Sequence, residues 1–222
     1  MSAVVAYRGD PEEKNGAGKN KRVGNLMMVT KKGVVKKTPL EDFKNIRRNG
    51  IIAISLKKGD ALRWVRMTSG KDECVLTTQK GQAIRFKESQ VREMGRTAAG
   101  IRGIRLRSGD HVAGFATIKE GKSDGALLVV AANGFGKRTK LSEYKVQSRG
   151  GSGIRTMNVT PKTGLLVAAL ITSDETEILA LSAKGQVIRT ALESVRLTGR
   201  AAQGVRVMHL KPGDRLAGVI IL

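Results

Sequence analysis

Eight basic side chains recur at fixed phase along this sequence, and their spacing is the first feature with chemical content. Four turn-like runs, Thr30-Lys31-Lys32-Gly33, Thr78-Gln79-Lys80-Gly81, Ala131-Ala132-Asn133-Gly134 and Ser182-Ala183-Lys184-Gly185, follow one another at intervals of 48, 53 and 51 residues. Four residues after each turn glycine stands Lys37, Arg85, Arg138 or Arg189; fifteen after it stands Arg48, Arg96, Arg149 or Arg200. Lys36, Lys137 and Arg47 add neighbouring cations. Positive charge at equal phase in every unit points to a surface that follows a long anionic partner. The second set lies in Gly-rich segments, as where Gly150, Gly151 and Gly153 flank Arg149. Small residues beside an arginine permit close backbone approach, so amides and a guanidinium can hold one phosphate together. For one segment the plainer reading is a glycine for the turn and an arginine for solubility. Four in phase on a strongly basic chain favour the phosphate grip.

Other chemistry is sparse. His111 and His209 are far apart in sequence, and Glu12-Glu13 and Glu41-Asp42 read as solvated surface pairs. Gly134-Phe135-Gly136-Lys137-Arg138-Thr139 is reminiscent of a phosphate loop but lacks its four-residue spacer and following helix. Gly100-Ile101-Arg102-Gly103 has GxxG spacing without the helices that give it meaning. Repeat glycines explain both runs better. No catalytic or metal-binding set emerges, and no cofactor is expected in this chain.

The composition narrows the partner. The 222 residues carry a net charge of +22, and residues 1–24 hold only five basic and three acidic side chains, so the charge belongs to the repeats. Self-repulsion of this size calls for a polyanion. Nucleic acid is the leading partner, with an anionic membrane surface or an acidic protein second. At 3% aromatic the chain has few platforms for stacking bases, which disfavours single-strand binding and base reading. A single cysteine, Cys74, excludes an internal disulfide and suits a reducing compartment. No apolar run reaches the roughly 20 residues of a membrane helix, and the N-terminus lacks a signal pattern. A soluble, cytoplasmic protein without membrane contact is expected.

The elements that must position these cations read as strands. In the last unit Ile178–Leu181, the turn at 182–185 and Gln186–Thr190 form a β-hairpin signal. An anchor follows ten residues after the glycine (Phe43, Val91, Tyr144, Val195), then the Gly-Arg segment and a strand such as 204–208. A tight turn, Gly59-Asp60, Gly109-Asp110 or Gly213-Asp214, leads to closing strands at 61–65, 111–115, 165–169 and 215–219. Four strands per unit of about 50 residues, with no sustained helical period, predict an all-β, propeller-like array of four blades at about 25–70, 71–122, 123–173 and 174–222. Ala3–Tyr7 reads as a strand of a partial preceding blade, and the rest of residues 1–24 as its loop.

The run from Val91 to Ile104, with 134–139 and 147–153, resembles the C-terminal domain of DNA gyrase A, over about residues 25–222. The homologous domain of topoisomerase IV is a close rival. The resemblance implies a β-pinwheel, in which neighbouring blades exchange strands, and a function: wrapping double-stranded DNA around a basic rim to support negative supercoiling. It implies as partners the remainder of gyrase A and gyrase B, with ATP and Mg sites elsewhere in the holoenzyme and no catalysis by this chain. Two departures accompany it. The family has five or six blades where this chain has four, and its Gln-Arg-Arg-Gly-Gly-Lys-Gly box belongs to a first blade that is missing; 147–153 is a relaxed version in a later blade. Against the family reading stand a scaffold that grips an acidic protein and an enzyme, whose convergent acid, base or metal site is not found.

Overall fold

The computed structural model describes residues 24–45, 48–122 and 124–222. The strand expected at 3–7, the loop after it and Arg47 lie outside the described residues. The first repeat contributes β1 (Asn25–Thr30), β2 (Val34–Pro39) and β3 (Leu62–Thr68). The second contributes β4 (Glu73–Thr78), β5 (Gln82–Lys87), β6 (Ile101–Arg102) and β7 (Val112–Ile118). The third contributes β8 (Ala126–Ala131), β9 (Phe135–Lys140), β10 (Ile154–Arg155) and β11 (Leu166–Thr172). The fourth contributes β12 (Glu177–Ser182), β13 (Val187–Ala191), β14 (Val205–Arg206) and β15 (Leu216–Ile221). The only helical pieces among the described residues are short 3-10 turns after β2, β5, β9 and β13.

Turn chemistry fixes each hairpin. The glycines at 33, 81, 134 and 185 have φ between 78° and 86°, a left-handed conformation that an L side chain resists. The Gly-Asp turns do more than reverse the chain. Asp60, Asp110 and Asp214 accept hydrogen bonds from the amides of Lys32, Lys80 and Lys184 at 2.9, 3.0 and 3.1 Å, pinning the start of the closing strand to the hairpin tip. In the third repeat Asn133 replaces that lysine, and its side-chain amide reaches Pro161 O and Lys162 O, both at 3.1 Å.

The sheets run β3-β1-β2-β6, β10-β5-β4-β7, β11-β8-β9-β14 and β13-β12-β15. All pairs are antiparallel. Three local strands thus receive a fourth, two residues long, from the repeat that follows. The predicted strand at 204–208 is real but belongs to the preceding sheet, where Val205 pairs with Gly136 and Arg206 with Phe135. This is the exchanged-strand, all-β architecture expected above.

The core lies between sheets. Val75 faces Leu127 and Val129 in one cluster, while its neighbours Cys74 and Leu76 join Met27, Val29 and Phe115 in another. Leu128 and Val130 face the fourth sheet with Ile178 and Ala180. Alternation along a strand therefore serves two cores at once, which explains why β8 is apolar throughout. The closing strands β3, β7, β11 and β15 also stack in order; Gly114 lets β7 meet β11, since a Cβ there would lie 2.7 Å from that of Ala169.

Candidate nucleic-acid interface

The cations four residues after the turn glycines of the first three repeats occupy blade boundaries. Lys37 and Arg85 are buried, at 7% and 8% exposure. The Arg85 Nε donates to Glu73 Oε2 at 2.6 Å, and its terminal nitrogen donates to the carbonyls of Leu141 and Tyr144 at 2.9 and 3.3 Å in the next repeat. Arg138 is half-buried and donates to Val195 O at 2.8 Å. Arg189 pairs with Glu177 but remains 64% exposed. The sequence places these four at one phase on a common surface; in the structure a neighbouring blade covers the first three to differing degrees.

Lys36 and Lys137 are wholly buried. The Lys36 ammonium donates to Ala53 O and Arg96 O at 2.6 and 2.5 Å. That of Lys137 donates to Gly199 O, Arg200 O and Thr139 Oγ1 at 2.6, 2.8 and 3.1 Å. Burial lowers the pKa of both, that of Lys137 to about 8. Each satisfies carbonyls of the following repeat's Gly-Arg segment, so these ammonium groups join blades and do not present themselves to a ligand.

The Gly-Arg segments use their amides internally. Arg149 N donates to Gln90 Oε1 at 2.6 Å, and Gly150 N to Gly103 O at 2.8 Å. Gly151 O accepts from Arg105 N at 2.8 Å. Gly153 passes so close to β5 that a Cβ would sit 2.5 Å from Ala83 O. The expected grip of amides and guanidinium on one phosphate thus loses the amides of Arg149 and Gly150. The guanidiniums remain near the surface: Arg149 reaches the Arg102 carbonyl, and Arg200 donates to Arg155 O at 3.3 Å. Arg96 is half-buried and Arg48 exposed. The phosphate-loop look of 134–139 has the same origin, since Gly134 and Gly136 make room for the donated β14 segment.

Two exposed sets went unrecognised in the sequence. Eleven residues after each turn glycine stands Lys44, Arg92, Lys145 or Arg196, all exposed. Each directly follows an anchor (Phe43, Val91, Tyr144, Val195); Val91, Tyr144 and Val195 are extended, so the side chain after each points the opposite way, whereas Lys44 follows Phe43 at the end of a 3-10 turn. The anchors were visible, and that step of one residue was the available signal. The second set, Arg102, Arg155 and Arg206, sits on the donated strands and is exposed. Arg206 also lies over the Phe135 ring, 5.0 Å from its centroid.

None of the described aromatic residues is exposed, so none offers an open stacking face. Among the described residues no group of three or more His, Cys, Asp or Glu side chains is placed to hold a metal ion. Cys74 is buried, and burial raises its thiol pKa. No described helix is long and apolar enough to cross a membrane.

Comparison with known proteins matches this arrangement. The family model described as DNA gyrase C-terminal domain, beta-propeller, matches residues 24–69, 72–119, 126–173 and 176–222, one match per repeat. DNA gyrase A of Staphylococcus epidermidis is 41% identical over 194 residues, covering 87% of this chain and 22% of the relative. That of Deinococcus deserti is 44% identical over 193 residues, covering 86% and 24%. The chain thus spans about a fifth to a quarter of these relatives' length. A solved gyrase A C-terminal domain superposes with a TM-score of 0.81 at 28% identity, covering 91% of this chain and 68% of that one. A topoisomerase IV C-terminal domain gives 0.84 at 27% identity, covering 90% and 62%.

Proposed function

The chain belongs to the DNA gyrase C-terminal domain, beta-propeller family, and from that premise we propose that it binds duplex DNA irrespective of sequence, bends it, and wraps it along a basic rim as part of a gyrase A protein. The observation that carries this reading is the exposed cation at Lys44, Arg92, Lys145 and Arg196, one in every repeat at one phase. Arg102, Arg155 and Arg206 extend the positive surface, and Arg48, Arg96, Arg149 and Arg200 supply further guanidiniums at its edge. Phosphates provide the affinity, and the absence of exposed aromatics among the described residues leaves no stacking readout.

Bending 20–30 base pairs by 40–90° costs on the order of 1–6 kcal/mol, which contacts spread over the blades offset. The chain acts as a non-catalytic DNA-wrapping arm. The remainder of gyrase A and gyrase B are its partners, in the cytoplasm, and ATP and Mg act elsewhere in the assembly. Sequence likeness favours gyrase: the relatives named above are gyrase A proteins, whereas fold likeness does not separate gyrase from topoisomerase IV.

The test is fluorescence anisotropy with duplex DNA across a salt series. Seven phosphate contacts give a slope of about −6 in log affinity against log salt. Reversing Lys44, Arg92, Lys145 and Arg196 to Glu removes about four contacts and flattens the slope by roughly 3 to 4. An unchanged slope in a folded variant rejects this rim. Equal affinity for an acidic protein or heparin, with no preference for duplex, favours a scaffold instead.

A further inference from the structure

Three residues after the turn glycines of the first three repeats stand Lys36, Ile84 and Lys137, each wholly buried at a blade boundary. Where this residue is lysine, it donates to the carbonyl of the next repeat's in-phase arginine: Lys36 to Arg96 O at 2.5 Å, Lys137 to Arg200 O at 2.8 Å. Lys137 also donates to Gly199 O at 2.6 Å, and Thr139 Oγ1 beside it donates to Thr198 O at 2.9 Å. Three consecutive carbonyls, 198 to 200, are thus satisfied from β9 without any donor from the Arg200 side chain. Ile84 offers no donor, and at its boundary the arginine itself supplies the bonds. Arg149 donates from its amide to Gln90 Oε1 at 2.6 Å, from Nε to Gln90 O at 3.2 Å and from a terminal nitrogen to Arg102 O. Its guanidinium therefore ties the 3-10 turn after β5 to the donated strand β6, using donors that a phosphate would otherwise take.

At the Lys137 boundary the Arg200 guanidinium makes one bond to the described residues, from a terminal nitrogen to Arg155 O at 3.3 Å. With the exposed Arg155 of β10 it borders an open cavity of about 350 Å³, completed by Glu143, Gly199, Ala201 and Ala202. The peptide after Arg200 is trans, so drawing its carbonyl inward to Lys137 turns the Ala201 N–H the opposite way. Glycine and alanine side chains leave that backbone open to close approach. Two guanidiniums outweigh the one carboxylate of the cavity, Glu143, whose Oε2 accepts from Arg200 N at 3.2 Å.

We propose that the Arg155–Arg200 cavity is a phosphate-binding subsite for which Lys137 is the positioning residue, freeing Arg200, while Arg149 braces its own boundary. A phosphate group is the ligand that two guanidiniums and an outward amide fit; that duplex DNA supplies it rests on the function proposed above. Lys137 is wholly buried and touches no phosphate itself, so its effect on binding passes through Arg200. The four in-phase arginines are therefore not equivalent. The buried residue of the preceding blade decides which of them binds and which holds the fold.

Inorganic phosphate titrated into the 222-residue chain at low salt, with the arginine Nε–H signals followed by NMR, tests the subsite without DNA. The expected result is a saturable shift at Arg200 that exceeds any at Arg149 and is lost in a folded Lys137→Met variant. Duplex anisotropy across a salt series then tests the split. Arg200→Met flattens the slope by about 1 and keeps the urea midpoint, whereas Arg149→Met lowers the midpoint and keeps the slope. Both arginines are half-buried at the surface, so both variants fold. Lys137→Met flattens the slope as Arg200→Met does, and the double variant loses no more than either alone. An Arg200 signal that moves no more than that of Arg149, or that still saturates in Lys137→Met, overturns the proposal, as do additive losses in the double variant. A chain whose Arg200 answers to phosphate but which holds no duplex keeps the subsite and rejects the duplex reading instead.

Discussion

Arg85 and Arg189 hold the same position in their repeats, and each pairs with a glutamate twelve residues earlier, Glu73 or Glu177. One is sealed at 10% side-chain exposure and the other lies in solvent at 64%. The difference is the next repeat, whose Leu141 and Tyr144 carbonyls cover Arg85, while Arg189 has no such cover among the described residues. A blade in this protein is therefore completed from outside itself, and the environment of a repeat position depends on its neighbour as much as on its residue type.

Breaking the Arg85 boundary has the largest expected effect. Arg85→Met leaves Glu73 partly buried without its partner and removes one donor from each of the Leu141 and Tyr144 carbonyls, a loss of about 3–5 kcal/mol in urea unfolding. Arg189→Met leaves the urea midpoint unchanged. Turn glycines sharpen the same contrast. At both Gly134 and Gly185 an alanine adopts a left-handed conformation, costing about 1–2 kcal/mol. At Gly134 its Cβ also meets Met208 O at 2.2 Å, adding about 1–3 kcal/mol of displaced strand. The Gly134→Ala midpoint should fall well below that of Gly185→Ala; equal midpoints would refute the sealing role of β14.

A smaller effect separates the boundaries by pH. Lys36 and Lys137 stand three residues after their turn glycines, where the second and fourth repeats carry Ile84 and Ile188. The folded pKa of Lys137, about 8, lies below its ordinary 10.5, so the unfolded chain holds the extra proton between those values. Stability attributable to this group therefore rises with pH from about 8 toward 10.5 and is lost as pH falls through 8. Unfolding free energies of the wild type and Lys137→Met should diverge in the wild type's favour across that window, by on the order of 1–3 kcal/mol. Parallel pH profiles contradict the burial argument.

Much of the fold was legible because its causes are local. The turn glycines, Gly-Asp turns and apolar runs located all four hairpins and closing strands, with the latter ending two or three residues beyond the predicted limits. Strand exchange was not legible from the pattern itself, since a two-residue donor such as Val205-Arg206 carries no periodicity and pairs with residues about 70 positions earlier; the family resemblance supplied it. For the site, phase was legible and exposure was not. Repetition shows that Lys37, Arg85, Arg138 and Arg189 are equivalent, but not whether that shared position faces a neighbour or solvent. Glu73 and Glu177, recurring twelve residues before Arg85 and Arg189, were the available sign of ion pairs at that position. The exposed set at Lys44, Arg92, Lys145 and Arg196 was hidden behind anchors that drew attention one residue earlier.

The central claim, that these blades guide duplex DNA around a basic rim, is tested most directly by topology. Nicked plasmid is incubated with the protein at low salt and ligated, the protein is removed, and the linking number is read on a chloroquine gel. The account predicts a dose-dependent positive shift, which Lys44→Glu, Arg92→Glu, Lys145→Glu and Arg196→Glu together abolish. Binding without any change in linking number contradicts chiral wrapping and leaves a domain that only bends DNA.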